Sequence, residues 1–196
     1  MAANDIFGSS ATVEWGTPSA VISALAAAYP LTLDVCATPG RQVRPHYYAP
    51  PLDQIGRYKD PKVAGGWGVD APFKLAALDL MLAQPPLAID ALAADWAADL
   101  RKLGGCAWMN PPFGTGIKHW VRKAYETAQA GGCVVTLLPS RTGTKWWHSY
   151  CEPVRKGSFP GELEFWKGRI SFVTRAGGTL APAPFDVAIV VFGKLI

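Results

Sequence analysis

The apolar residues Cys106-Ala107-Trp108-Met109 run directly into Asn110-Pro111-Pro112-Phe113, and this junction constrains the chain more than any other feature. A short apolar run stopped by consecutive prolines reads as a buried parallel strand ending at its carboxyl edge, where open α/β sheets hold their ligands. Each prolyl ring fixes its own φ and biases the residue before it toward extended geometry. The Asn110 carboxamide and the Pro111 carbonyl are thereby held as two acceptors at the strand tip, with the Phe113 ring beside them. The plain alternative is a turn that only ends a strand.

Two fixed acceptors beside an aromatic face suit one chemical problem. The exocyclic amine of adenine is a poor nucleophile, because its lone pair is delocalised into the ring and no side-chain base deprotonates it at neutral pH. Hydrogen bonds accepted by fixed oxygens pyramidalise the nitrogen and aim its lone pair at an electrophilic methyl, which is pre-organisation more than acid–base catalysis. Phe113 would stack on the base. Inside a duplex the target atom is out of reach, so the nucleotide must first be flipped out.

Further motifs accompany this one: Trp15-Gly16-Thr17-Pro18, Leu33-Asp34-Val35-Cys36-Ala37-Thr38, Asp95-Trp96, Leu138-Pro139-Ser140-Arg141, Lys145-Trp146-Trp147-His148, Gly168-Arg169-Ile170-Ser171-Phe172 and Ala183-Pro184-Phe185. With them the chain resembles the small phage and prophage DNA N6-adenine methyltransferases of the Dam type. Members commonly carry Tyr where this chain has Phe113, a difference that keeps the stacking and loses a hydroxyl. The resemblance implies an α/β, Rossmann-like S-adenosylmethionine-dependent methyltransferase fold, mostly parallel with an antiparallel C-terminal strand pair. It implies a single domain over 1–196, with an insertion or recognition segment at about 51–87 that matches nothing in the family pattern.

The same resemblance assigns residues. Asn110, Pro111, Pro112 and Phe113 form the catalytic set, and Asn110 also touches the cofactor. Trp15, Thr17 and Pro18 sit beside the methionine end of S-adenosylmethionine, and Asp34, Val35, Cys36 and Ala37 form the cofactor loop. That loop departs from the usual glycine-rich form, because Thr38 and Pro39 precede the single Gly40. Asp95 and Trp96 resemble the acidic–aromatic pair that reads the cofactor's adenosine, and Asp90 is a second candidate carboxylate. Double-stranded DNA is the implied partner, and in-line attack on the sulfonium methyl needs no metal. RNA or protein-glutamine methylation, or a non-catalytic DNA-binding relic, are the other readings of the same motifs.

Charge distribution agrees with a polyanionic partner. Residues 1–100 carry 6 Lys and Arg against 10 Asp and Glu, a net of −4, whereas residues 101–196 carry 13 against 5, a net of +8. A basic half is the electrostatic footprint of nucleic acid, or else a solvated face without a partner. Met1 to Ser10 is polar and lacks the cationic start and apolar core of a secretory signal, and no apolar run is long enough to span a membrane. Cys36, Cys106, Cys133 and Cys151 form no C-x-x-C pair, and the three histidines are not at metal-ligand spacing, so reduced thiols in a bacterial or phage-infected cytoplasm are expected.

In chain order, Thr17-Pro18 has the form of an N-cap followed by proline at the first helical position, with Val21, Ile22, Leu25 and Ala28 as the apolar stripe behind it. Leu31 to Asp34 reads as a strand. Arg44, His46, Tyr47, Tyr48, Arg57, Tyr58 and Lys59 interleave bases and aromatics, a mix that contacts phosphates and stacks bases. Gly65-Gly66-Trp67-Gly68 reads as a loop and Lys74 to Leu82 as a helix ended by Pro85-Pro86. Asp90 to Leu100 has helical composition, while the resemblance sets Asp95-Trp96 at a strand end, and that placement is the expectation here.

Ile117, Trp120, Val121, Ala124 and Ala128 make a helix face stopping at Gly131-Gly132, and Cys133 to Leu138 is the next buried strand. In the loop beyond, Arg141 and Lys145 can bind phosphate. Trp146 and Trp147 cannot both face one core on a helix, so one of them is a candidate for the base pocket or DNA surface, with a structural pair as the alternative. Leu163 to Trp166, Ile170 to Thr174 and Asp186 to Phe192 read as strands, the last two as the antiparallel end of the sheet. Arg169 is a DNA contact or a turn cap.

Overall fold

The computed structural model describes residues 16–38, 42–51, 57–59, 67–69, 71–173 and 182–195. In chain order these form α1 (Ser19–Ala28), β1 (Leu31–Asp34), β2 (His46–Ala49), β3 (Arg57–Lys59), β4 (Trp67–Val69), α2 (Ala71–Ala83), β5 (Ala88–Ile89), α3 (Trp96–Leu103) and β6 (Cys106–Met109). They continue with α4 (Ile117–Gln129), β7 (Val134–Pro139), a π-helical turn (Trp147–Cys151) leading into α5 (Glu152–Arg155), β8 (Gly161–Phe165) and β9 (Val187–Phe192).

The period-two alternation of β6 sorts its side chains between two apolar layers. Ala107 and Met109 enter a layer with Leu33, Trp96, Leu100, Val121, Ala124, Leu138 and Trp147, whereas Cys106 and Trp108 enter one with Val21, Ile22, Leu25, Val135, Leu137 and Phe172. A strand covered on both faces is apolar throughout, which is why β6, β7 and β9 read as unbroken apolar runs. On α4 the stripe Ile117, Val121, Ala124 is buried, and the chain leaves the helix through Gly131 at φ 89°.

Seven strands form one sheet in the order β5-β2-β1-β6-β7-β9-β8, with β9 antiparallel to both its neighbours and every other pairing parallel. The expected α/β sheet with an antiparallel C-terminal pair is what forms. From β1 the chain moves outward through β2 to β5, then returns to add β6 on β1's other side. The strand order reverses between β1 and β6, and ligands of open α/β sheets bind outside the carboxyl ends at such a switch point. Asp34 lies opposite Trp108 there, so the loops after β1 and β6 leave the sheet side by side.

Several local readings change. Helix α1 starts at Ser19 with Pro18 as its N-cap, one residue later than the Thr17 cap expected. Trp67 and Gly68 lie in β4, which pairs with β3 as a separate two-stranded ribbon. The antiparallel partner of β9 is β8, whereas 170–173 stays outside the sheet and makes a bridge from Val173 to Gly16. Tyr47 and Tyr48 are buried, with their hydroxyls donating to the Gln84 carbonyl (2.6 Å) and to Asp99 Oδ2 (2.8 Å), so they are core residues of β2 and present no ring to a base. Helix α2 packs Ala77 and Met81 on Tyr47 and Ala49.

Candidate active site

Asp34 closes β1 and is 4% exposed. Its Oδ1 accepts from the Cys36 N–H (3.1 Å) and its Oδ2 from the Val43 N–H (3.0 Å). Burial pushes the carboxyl up to about 6, against those two amide bonds and the Arg44 charge, which favour the anion. Expected as a cofactor ligand, Asp34 is in the structure a clamp across its own loop. The loop is also joined to the Asn110 segment: the Val35 N–H donates to the Trp108 carbonyl (3.0 Å) and the Asn110 backbone N–H to the Cys36 sulfur. Burial first, then the neighbouring Asp34, push the Cys36 thiol well up, so this sulfur is a neutral packing group. Ala37 is buried beside it.

Past the end of β6, the Asn110 carboxamide donates from Nδ2 to the Thr17 hydroxyl (2.9 Å). The segment carrying Thr17 is held by Gly16, which exchanges two backbone bonds with Val173 (3.1 and 2.9 Å). Only glycine fits this approach, since a Cβ at Gly16 would meet Val173 Cγ2 at 2.6 Å and its carbonyl oxygen at 2.9 Å. Next to Val173, Phe172 is fully buried. Its ring centroid stands 5.8 Å from that of half-buried Phe113 at 81°, and Phe185 stands 5.7 Å from Phe113 at the same angle. Edge-to-face contacts of this kind fix a ring's tilt as well as burying it.

Arg169 Nη1 donates to the Ala183 carbonyl (3.1 Å) and the Ala183 N–H to the Ile170 carbonyl (3.0 Å), which ties the two segments bearing Phe172 and Phe185. Thus 16–18, 110–113, 170–173 and 183–185, far apart in sequence, meet outside the carboxyl ends of β1, β6 and β7. Pro111 is buried in this junction and Pro112 exposed.

A family model described as DNA N-6-adenine-methyltransferase (Dam) matches residues 87–195. The chain belongs to the Dam family of DNA N6-adenine methyltransferases. The reaction of this methyltransferase is transfer of a methyl group from S-adenosylmethionine to adenine N6 in DNA. No curated protein matches the chain. Similar solved structures include a precorrin-8w decarboxylase from Methanobacterium thermoautotrophicum, 14% identical, covering 99% of this chain and 100% of that one with a TM-score of 0.46. Another is a precorrin-6y C5,15-methyltransferase from Geobacter metallireducens, 12% identical over 97% of this chain and 96% of that one, TM-score 0.48. The family assignment rests on the Dam match.

The expected cofactor and DNA residues of the methyltransferase divide. Trp15 lies outside the described residues. Asp95 caps helix α3, accepting from the Ala98 N–H (3.0 Å), and Trp96 is fully enclosed, its Nε1 donating to the Ala91 carbonyl (2.6 Å). The expected strand end is therefore a helix start, and no face of Trp96 is open to an adenine ring. Asp90 stands at the carboxyl end of β5 at φ 69°, its Oδ1 accepting from the Leu92 N–H (3.2 Å). Trp147 is core, stacked on Phe165 at 6.1 Å and 17°, and Trp146 packs edge-on against it. Trp147 opens the π-helical turn and is buried, while Trp146, just before it, is half-buried. Arg141 and Lys145 are exposed beyond β7. Arg169 is exposed, with its Nη1 engaged on the Ala183 carbonyl.

Two polar groups near the switch point carried no specific role in the sequence. Among the described residues, the Arg44 Nε and Nη2 atoms and the Ser140 hydroxyl are buried without a hydrogen-bond partner. Orphaned buried donors are costly, and a guanidinium edge beside a loop of small residues fits a carboxylate such as that of S-adenosylmethionine's methionine portion. Arg44 was legible only as one base among aromatics, and Ser140 only as a residue of the Leu138-Pro139-Ser140-Arg141 stop.

Proposed function

We propose that this methyltransferase acts on an adenine flipped out of double-stranded DNA, with the base held against Phe113 and its N6 amine donating to Asn110 Oδ1 and the Pro111 carbonyl. The observation that carries this reading is the meeting of the Asn110 loop with the Phe172 and Phe185 segments at the sheet's switch point. S-adenosylmethionine, when bound, supplies an electrophilic methyl on a sulfonium. This chain's contribution is positional. Asn110 and Pro111 draw electron density toward the amine and orient its lone pair, and the amine proton leaves to solvent after transfer.

Pro18, Val35, Cys36, Ala37 and Asp90 would line the cofactor, with Arg44 on its carboxylate and Asp34 shaping the loop from below. Arg141 and Lys145 would contact DNA phosphates beyond β7. Residues 1–196 would work as one domain, with 51–87 as the segment that reads sequence, in the cytoplasm where such DNA is found. Among the described residues no helix is long and apolar enough to cross a membrane.

The test is incubation of the purified protein with tritiated S-adenosylmethionine and unmethylated bacterial duplex DNA, followed by nucleoside analysis of the digest. Label in N6-methyldeoxyadenosine is the expected result. Label only in single-stranded DNA, RNA or protein glutamine would overturn the substrate.

A further inference from the structure

By resemblance Thr17 is a contact of the cofactor's methionine end, yet its hydroxyl is occupied within the protein, accepting from Asn110 Nδ2 at 2.9 Å. We infer that Thr17 is a positioning residue that sets which end of the Asn110 carboxamide faces the target amine. This inference rests on the role proposed for Asn110.

A carboxamide has an acceptor end and a donor end of nearly the same shape, and the torsion that exchanges them is soft. Only the oxygen can accept from an amine. A half-turn would present two N–H donors to the N–H donors of adenine N6. Proline after Asn110 restricts its backbone and leaves that side-chain torsion unset. In the structure the Thr17 hydroxyl accepts from the nitrogen end, which turns the oxygen end away from Thr17, whereas a hydroxyl donating to that oxygen would mark the opposite setting.

Thr17 can do this because both of its neighbours are fixed. Gly16 is paired in both directions with Val173, and the Pro18 carbonyl accepts from the Val21 and Ile22 N–H groups at the head of α1 (3.0 and 3.2 Å). The same pairing runs through Val173 to Phe172, which tilts Phe113. One short strap therefore holds the amine acceptor and, two residues away through the bridge, the neighbour of the stacking ring. The hydroxyl expected at the helix cap is engaged at Asn110, and Pro18 stands at the N-cap with no side-chain bond.

Thr17→Val keeps the shape and removes the acceptor, and Thr17→Ser keeps the acceptor and removes the methyl. Methyl transfer to unmethylated duplex DNA would be followed in single turnover, with the KM for DNA, S-adenosylhomocysteine binding by calorimetry, and the thermal midpoint. Thr17→Val is expected to slow transfer by about 10- to 100-fold, the range for loss of one orienting hydrogen bond, with KM and S-adenosylhomocysteine affinity within about twofold of wild type. Thr17→Ser should restore the rate to within about threefold. Thr17→Ala gives the same contrast if valine does not fit.

Weaker S-adenosylhomocysteine binding with an unchanged transfer rate at saturating cofactor would make Thr17 a cofactor ligand and overturn the inference. A serine variant as slow as the valine one would reduce Thr17 to packing, and a valine variant as fast as wild type would leave the bond without function. A wild-type protein that transfers no methyl to adenine would overturn the role of Asn110 itself, an outcome visible without any variant.

Discussion

Asn110 with Phe113 and Asp95 with Trp96 each set a short polar side chain near an aromatic ring, and the two pairs meet opposite fates. Phe113 stays half-buried, held between Phe172 and Phe185 at the carboxyl edge of the sheet. Trp96 is sealed in the helical layer against Trp120 and Tyr48. What separates them is the backbone that follows. After Asn110 two prolines forbid a helix and keep the chain in a loop at the edge. After Asp95 the residues Trp96-Ala97-Ala98-Asp99-Leu100 wind into α3, Asp95 becomes the cap, and the first helical side chain turns into the core. A polar–aromatic pair in sequence says little about exposure until its backbone is known.

Four substitutions test that contrast. Trp96→Ala should cost on the order of 3–5 kcal/mol in urea unfolding, as for a large core aromatic, with any loss of methylation following the loss of folded protein. If stability held and S-adenosylhomocysteine affinity alone collapsed, the indole would be a cofactor platform after all. Asn110→Ala should act the other way, lowering single-turnover transfer by about 10²–10³-fold, or roughly 3–4 kcal/mol, while leaving the thermal midpoint and S-adenosylhomocysteine affinity nearly unchanged. Loss of binding together with transfer would break the separation of roles.

Asp34 provides a pH test of the loop that leaves the sheet beside Asn110. Its carboxyl is raised to about 6 in the folded state, above the ordinary aspartate value of 3.8, so between those values the folded chain binds more protons than the unfolded one. Its contribution to stability is then largest at the acid end, falls as pH rises through about 4 to 6, and is flat above, a change of up to about 3 kcal/mol. Asp34→Asn should remove that slope from unfolding curves across the window. Parallel profiles for wild type and variant would show that the clamp does not titrate there. Asp95→Ala should have the smallest effect, about 1 kcal/mol for a lost N-cap, with cofactor affinity untouched. A tenfold weaker affinity for S-adenosylhomocysteine would return Asp95 to the site.

The parts legible in the sequence are those whose physics is local. The buried runs read at 106–109 and 133–138, the second forming one residue later as β7, the α4 stripe ended by Gly131, and the double proline after Asn110 each follow from side-chain periodicity or ring sterics within a few residues. Less legible were residues whose role depends on a distant partner. Thr17 looked like a cap because Pro18 follows it, and it took Asn110 to show another use. Trp146 and Trp147 looked incompatible on a regular helix, yet Trp147 is buried and half-buried Trp146 packs edge-on against it. Ile170 to Thr174 looked like a sheet strand because its apolar alternation is a strand's, yet its described part, 170–173, lies outside the sheet and pairs through Val173 with Gly16.

By itself, then, the sequence determined that Asn110-Pro111-Pro112-Phe113 ends a buried strand and that residues 101–196 are basic, because proline geometry and charge need no neighbours to be expressed. Tertiary structure alone decided which aromatic rings stand at the site, which carboxylates face inward, and that Gly16, Thr17, Phe172 and Phe185 gather around Asn110. The hydrogen bonds and ring contacts that settle those choices join residues up to about 160 positions apart in the chain, and such pairings acquire their energy only when the sheet brings their ends together.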